Sequence, residues 1–90
     1  MDTEPLLTTA QAAEIATIWR RIASRGRAAA VSPSAVSNWA ARRHLAAAGL
    51  TPDGRPLYRL GAVARAEAAT RGRALRLVGL PDSAPRNTAA

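Results

Sequence analysis

Cysteine, lysine and phenylalanine are all missing from this 90-residue chain, and acidic side chains are scarce, at six in total. Without cysteine there can be no disulfide framework and no thiolate metal site, and a reducing compartment is expected. Without lysine, the positive charge rests on 13 arginines, whose planar guanidinium binds phosphate or carboxylate through paired hydrogen bonds. Between Thr8 and Leu80 the only acids are Glu14, Asp53 and Glu67, and His44 is the only histidine in the chain. A general acid/base pair or a set of metal ligands cannot be assembled from groups so few and so separated, and there is no glycine-rich phosphate loop. Neither an enzyme nor a cofactor is therefore expected. No run of about 18 apolar residues occurs, and the opening Met1–Pro5 has neither the positive start nor the apolar stretch of a secretory signal. The expectation is a cytoplasmic, nucleoid-associated protein with no membrane partner.

What the chain does have is alanine and arginine. Hydrophobic residues make up 48% of it, but alanine is the commonest of them, and the aromatics are limited to Trp19, Trp39 and Tyr58. A chain of this length buries only about 60% of its unfolded surface, so one thin, helix-rich core is predicted, with alanine letting helices approach closely. The formal net charge is +7. Over Thr8–Leu80 twelve arginines face three acids, a local excess of +9. The arginines are spread over a helix, a hairpin and a tail instead of forming one amphipathic strip, which favours nucleic acid over an anionic lipid surface as the partner.

Along the chain, residues 1–6 read as a flexible polar lead, 7–80 as the domain and 81–90 as a disordered tail rich in Pro, Ser, Asn and Ala. A first helix starts at Thr8, whose spacing to Gln11 matches a reciprocal capping pair with Leu7 as the apolar staple. Ala12, Ile15, Ile18, Trp19 and Ile22 recur at three-and-four spacing and predict the inward face through about Ser24. Arg25-Gly26-Arg27 ends this helix. Ala28–Ala30 fits either an extended connection or another helical turn. Ser32-Pro33 then offers an N-cap followed by proline at the first helical position, and a second helix is predicted from Pro33 to about His44. Val36, Trp39, Ala40 and the stem of Arg43 lie inward on it, leaving Ser34, Ser37, Asn38, Ala41 and Arg42 outward. Thr51-Pro52-Asp53-Gly54 predicts a bulged hairpin tipped by Arg55, with Leu57, Tyr58 and Arg59 on the return strand. A third helix is predicted from Leu60 to about Thr70, stopped by Arg71-Gly72-Arg73. Ala74–Leu80 is left open between core, strand and protomer contact.

Three segments, Leu7-Thr-Thr-Ala-Gln-Ala-Ala-Glu-Ile-Ala16, Val31-Ser-Pro-Ser-Ala-Val-Ser-Asn-Trp39 and Arg55-Pro-Leu-Tyr-Arg-Leu60, resemble the MerR-type and excisionase-like winged helix-turn-helix proteins over about residues 7–70. The resemblance implies a mainly α fold with a small β-hairpin wing. It also implies that Ser32, Ser34, Ser37 and Asn38 face bases and phosphates, Arg42 the backbone, Arg55 the wing contact, and Tyr58 and Arg59 the wing base. Arg43 is counted with these candidate DNA contacts, and His44 beside it as a cation at the helix end or a neighbour of phosphate. Trp19 and Trp39 are read as core, and Arg20, Arg21, Arg25 and Arg27 as a looser basic cluster. Two features depart from the family pattern. Thr17–Ala30 is additional, and Arg43 stands where glycine commonly follows the recognition helix, an exchange that lets the helix run on toward Gly49. There is no room for the long dimerisation helix and effector domain of full-length MerR regulators, so no small-molecule effector is expected.

The reading that follows is a small sequence-specific transcription regulator of double-stranded DNA, binding as a homodimer or in tandem. An excisionase that bends DNA is one alternative, and a non-enzymatic protein-interaction adaptor is another.

Overall fold

The computed structural model describes residues 5–79; most of the expected lead, Leu80 and the tail at 81–90 lie outside the described residues. Its elements are β1 (Leu6–Leu7), α1 (Thr9–Ser24), α2 (Pro33–Ala41), β2 (Gly49–Leu50), β3 (Pro56–Arg59) and α3 (Leu60–Leu77). The three strands form one antiparallel sheet in the order β1-β3-β2. The fold is mainly α, with a winged helix-turn-helix-like arrangement.

Helix α1 begins where local chemistry dictates. The Gln11 backbone N–H donates to Thr8 Oγ1 at 3.1 Å, and the Thr8 backbone N–H donates to Gln11 Oε1 at 3.0 Å. Two otherwise orphaned donors at the helix start are thereby satisfied. Just upstream, Leu6 pairs with Arg59 and Leu7 with Tyr58, so the end of the expected flexible lead is instead an edge strand that ties the start of the domain to the hairpin.

The inward face of α1 differs from the one its apolar spacing predicts. Ala12, Ala13, Ala16, Arg20 and Ser24 are buried, whereas Ile18 is 56% and Ile22 73% exposed. The reason is close approach: Ala12, Ala13, Ala16 and Ser24 let α1 pack against α2, α3 and β3, and larger apolar side chains at these four positions would hold these elements apart. Val36, Trp39, Tyr58, Val63 and Ala66 complete the main cluster.

The connection after α1 is docked rather than loose. Thr17 Oγ1 donates to Ala13 O at 2.8 Å and accepts from Val31 N at 2.8 Å, while buried Ser24 accepts from Ala28 N at 2.9 Å. Residues 28–31 are outside any helix, and Ala28 and Val31 are buried. The additional Thr17–Ala30 stretch is therefore a longer α1 plus a strap pinned back onto it.

Helix α3 continues through Gly72 to Leu77 instead of stopping near Thr70. A glycine inside a helix costs about 1 kcal/mol relative to alanine. Burial of Leu75, 1% exposed, offsets this at about 1.5–3 kcal/mol for a leucine-sized side chain.

The least expected core group is Glu67, which is fully buried. Arg20 Nε donates to Glu67 Oε2 at 3.1 Å. The other nitrogen of its fork, Nη2, reaches Thr70 Oγ1 at 2.8 Å and the Glu67 carbonyl at 3.3 Å. Arg71, one turn along α3, donates to both carboxylate oxygens, and its hydrogen bond to Glu67 raises its pKa against the opposing effect of burial. Arg20 therefore does not belong to the exposed basic cluster expected around it. The guanidinium also lies over the Trp39 ring, 5.7 Å from its centroid, so one side chain of α1 touches both other helices.

Truncating a buried, hydrogen-bonded charge leaves its partner uncompensated, at a cost of about 3–5 kcal/mol, much of the stability of a small domain. Glu67→Ala is expected to lose at least about 3 kcal/mol in urea unfolding followed by circular dichroism. Arg71→Ala, which leaves the Arg20–Glu67 pair in place and removes a partly exposed side chain, is expected to lose about 1.5–2 kcal/mol. Equal losses for the two would contradict this arrangement.

Candidate nucleic-acid interface

Helix α2 is short, and both its ends are defined. Ser32 is the N-cap, its Oγ accepting from Ala35 N at 3.1 Å, and Pro33 opens the first turn. The helix stops at Ala41, not His44. Arg43 N donates to Ala40 O at 3.1 Å and His44 N to Trp39 O at 2.8 Å, the paired bonds that close a helix through a left-handed residue. That residue is Arg43, at φ 65°. It takes the conformation that glycine usually supplies, so the helix does not run on toward Gly49, and the stem of Arg43 is exposed instead of packed inward. The end of α1 is built the same way: Gly26 N donates to Arg21 O at 2.7 Å, and Arg25 takes φ 56°.

The outward ridge of α2 consists of Ser34, Ser37, Asn38, Ala41 and Arg42, all exposed, over a buried Val36 and Trp39. These side chains are short up to Ala41, and a short-sided ridge allows the helix backbone to approach a duplex floor closely. Of the remaining predicted site residues, Arg59 is exposed at the end of β3, and Tyr58 is 2% exposed, its ring part of the core. The Ser32 hydroxyl is engaged in the cap.

Beside this ridge runs a groove of about 500 Å³. Asn38, Trp39, Arg42 and His44 line one wall, and Thr70, Arg73, Ala74 and Leu77 the other, with Arg20 also contributing. The structure thus brings Asn38 and Arg42 together with Arg73, which the sequence reading left in a helix-stopping triplet. The missed signal is periodic: residues 70, 73, 74 and 77 follow the i, i+3, i+4, i+7 pattern of one helix face once Gly72 is allowed inside the helix.

The wing is the β2–β3 hairpin, in register Gly49↔Leu57 and Leu50↔Pro56. Thr51 organises its tip: Gly54 N donates to Thr51 O at 2.9 Å, Arg55 N donates to Thr51 Oγ1 at 2.9 Å, and the Thr51 hydroxyl bonds Asp53. Gly54 sits at φ 86°, where a side chain would be strained. Arg55 Nε lies 3.3 Å from Asp53 Oδ2, with both side chains largely exposed. A pair this exposed contributes at most about 1 kcal/mol, so Arg55 is free to exchange Asp53 for a stronger anion.

Among the described residues the surface charge is one-sided. Ten arginines are exposed, against only Glu14 and Asp53 on the acidic side, because Glu67 is buried. No group of three His, Cys, Asp or Glu side chains there is placed to hold a metal ion, and no helix is long and apolar enough to cross a membrane.

The chain matches no protein-family model, no curated protein and no solved structure. It is a small three-helix domain with a β-hairpin, consistent with a winged-helix-like fold, and no homology ties it to the MerR-type or excisionase-like proteins.

The left-handed Arg43 yields a stability test. A residue with a Cβ pays about 1–2 kcal/mol in this conformation, while glycine there loses about 0.5–1 kcal/mol of unfolded-chain entropy. Arg43→Gly is expected to leave the unfolding free energy unchanged or raise it by about 0.5 kcal/mol, and β-branched Arg43→Ile to lower it by about 1 kcal/mol or more. A clear loss on Arg43→Gly would contradict the geometry.

Proposed function

We propose that this protein is a sequence-reading, double-stranded DNA-binding module that serves transcription regulation, with no catalytic role. The observation that carries the reading is the uncovered α2 ridge of Ser34, Ser37, Asn38 and Ala41, flanked by exposed Arg42 and Arg73 on the groove side. In this reading α2 enters the major groove. Asn38 reads a base edge, with geometry suited to adenine, and Arg42 and Arg73 hold phosphates on one side. Arg55 at the wing tip, released from Asp53, grips the adjacent backbone or minor groove.

The same electrostatics set the expected salt response. If about five arginines neutralise phosphates, log affinity falls with log salt at a slope of about −4 to −5. Fluorescence anisotropy with a labelled duplex between about 50 and 200 mM salt measures it. Arg42→Ala and Arg73→Ala are each expected to weaken binding to all duplexes and to make the slope shallower by about 1. Asn38→Ala is expected to keep the slope but narrow the preference for a selected site over random DNA, by about 5- to 100-fold if it makes a bidentate base contact. A nearly flat salt response, or unchanged slopes in both arginine variants, would refute the reading.

A further inference from the structure

Helix α1 has a second face that no part of the described chain covers. Ile18 is 56% and Ile22 73% exposed, and Ile15 and Trp19 are partly buried beside them. Residues 15, 18, 19 and 22 follow a helical period and form a continuous apolar strip. Single exposed apolar side chains are ordinary, but two isoleucines one turn apart, extended by Ile15 and Trp19, make a patch of the kind that marks an interface.

The strip has a charged border on one side only. At 100° per residue, Glu14 and Arg21 fall within about 60° of Ile18 on the side opposite Ile15 and Ile22. Both are exposed. The acid lies toward the start of the helix and the arginine toward its end.

From this asymmetry we infer that the α1 strip joins two copies of this chain, packed antiparallel about a two-fold axis passing close to Ile18. In such a pair the bordering strip of one copy meets the same strip of the other running in reverse, so position i faces position 36−i. Ile18 then meets its own counterpart. At 1.5 Å rise per residue, Glu14 lies about 6 Å from the axis and Arg21 of the second copy about 4.5 Å from it on the same side. Each Glu14 is thus beside an opposing Arg21, and symmetry makes the contact twice. A parallel pair would set Glu14 against the Trp19 side, where it meets no cation. An anionic lipid surface would attract Arg21 but repel Glu14, whereas a second copy pairs both.

The inference concerns a different face from the proposed DNA interface and does not depend on DNA binding. A strip this short supports weak association, with a dissociation constant on the order of 100 µM. Sedimentation equilibrium of the full 90-residue chain, from about 10 µM to 1 mM, brackets that value. The apparent mass is expected to climb from the monomer's 9.4 kDa toward twice that, and Ile22→Asp is expected to stay monomeric throughout. Glu14→Arg alone and Arg21→Glu alone each place like charges opposite one another and should weaken association about tenfold or more. Mixing these two variants, or combining both changes in one chain, restores opposite charges and should restore association. Thermal melts that match the parent show that each variant is folded. A parent that remains at 9.4 kDa throughout, with or without binding to anionic vesicles, overturns the proposal. So do charge variants that associate like the parent, or a mixture that fails to recover.

Discussion

One buried carboxylate organises this small domain. Glu67 has no access to solvent, and a charge removed from water this completely persists only with well-placed partners. Arg20 supplies one from α1 and Arg71 another from α3 itself. Since the Arg20 guanidinium also lies over Trp39 of α2, the same contact that neutralises Glu67 sets α1, α2 and α3 against one another. The groove between α2 and α3 passes beside this side chain, and its shape depends on the pin. An alanine-rich core makes the arrangement necessary: Ala12, Ala13, Ala16 and Ala66 bring elements close but bury little apolar area each, so directional polar contacts must fix orientation.

Arginine does three kinds of work here, and only one is visible in the net charge. Arg20 and Arg71 are internal ligands of Glu67. Arg25 and Arg43 take left-handed backbone at the ends of α1 and α2, keeping their charged side chains at the surface of both turns. Others, including Arg42, Arg55, Arg59 and Arg73, are exposed. Glu67 is sequestered together with Arg20 and Arg71, and among the described residues ten exposed arginines still face only Glu14 and Asp53, an excess that draws a polyanion.

The parts of the fold that were legible in sequence are those determined by neighbours a few residues apart. The Thr8–Gln11 capping pair, the Ser32-Pro33 helix start and the Thr51–Gly54 turn carry their own hydrogen-bond chemistry, and each occurs where that chemistry places it. The misread parts are those in which tertiary packing overrides the local pattern. Ile18 and Ile22 have the spacing of a core face, but the neighbouring helices choose the small-residue stripe ending in Arg20 and Ser24. Gly72 reads as a stop, yet burial of Leu75 carries the helix past it. Arg43 lacks the signature of a helix terminus, but the two backbone bonds to Ala40 and Trp39 close the helix there. The candidate site was legible as a ridge on α2; its second wall on α3, with Arg73, was not, because that wall exists only if α3 continues through Gly72.

In the proposed complex a duplex engages the exposed ridge of α2, the α3 wall beside it and the wing tip. Nitrogen-15 NMR of the full chain, titrated with a short duplex at low salt, tests it residue by residue. The largest amide and arginine side-chain shifts are expected at Ser34, Ser37, Asn38, Arg42, Arg55 and Arg73, with Ile18 and Ile22 unaffected by the added DNA. Shifts concentrated on the exposed face of α1, with α2 and the wing silent, would contradict it.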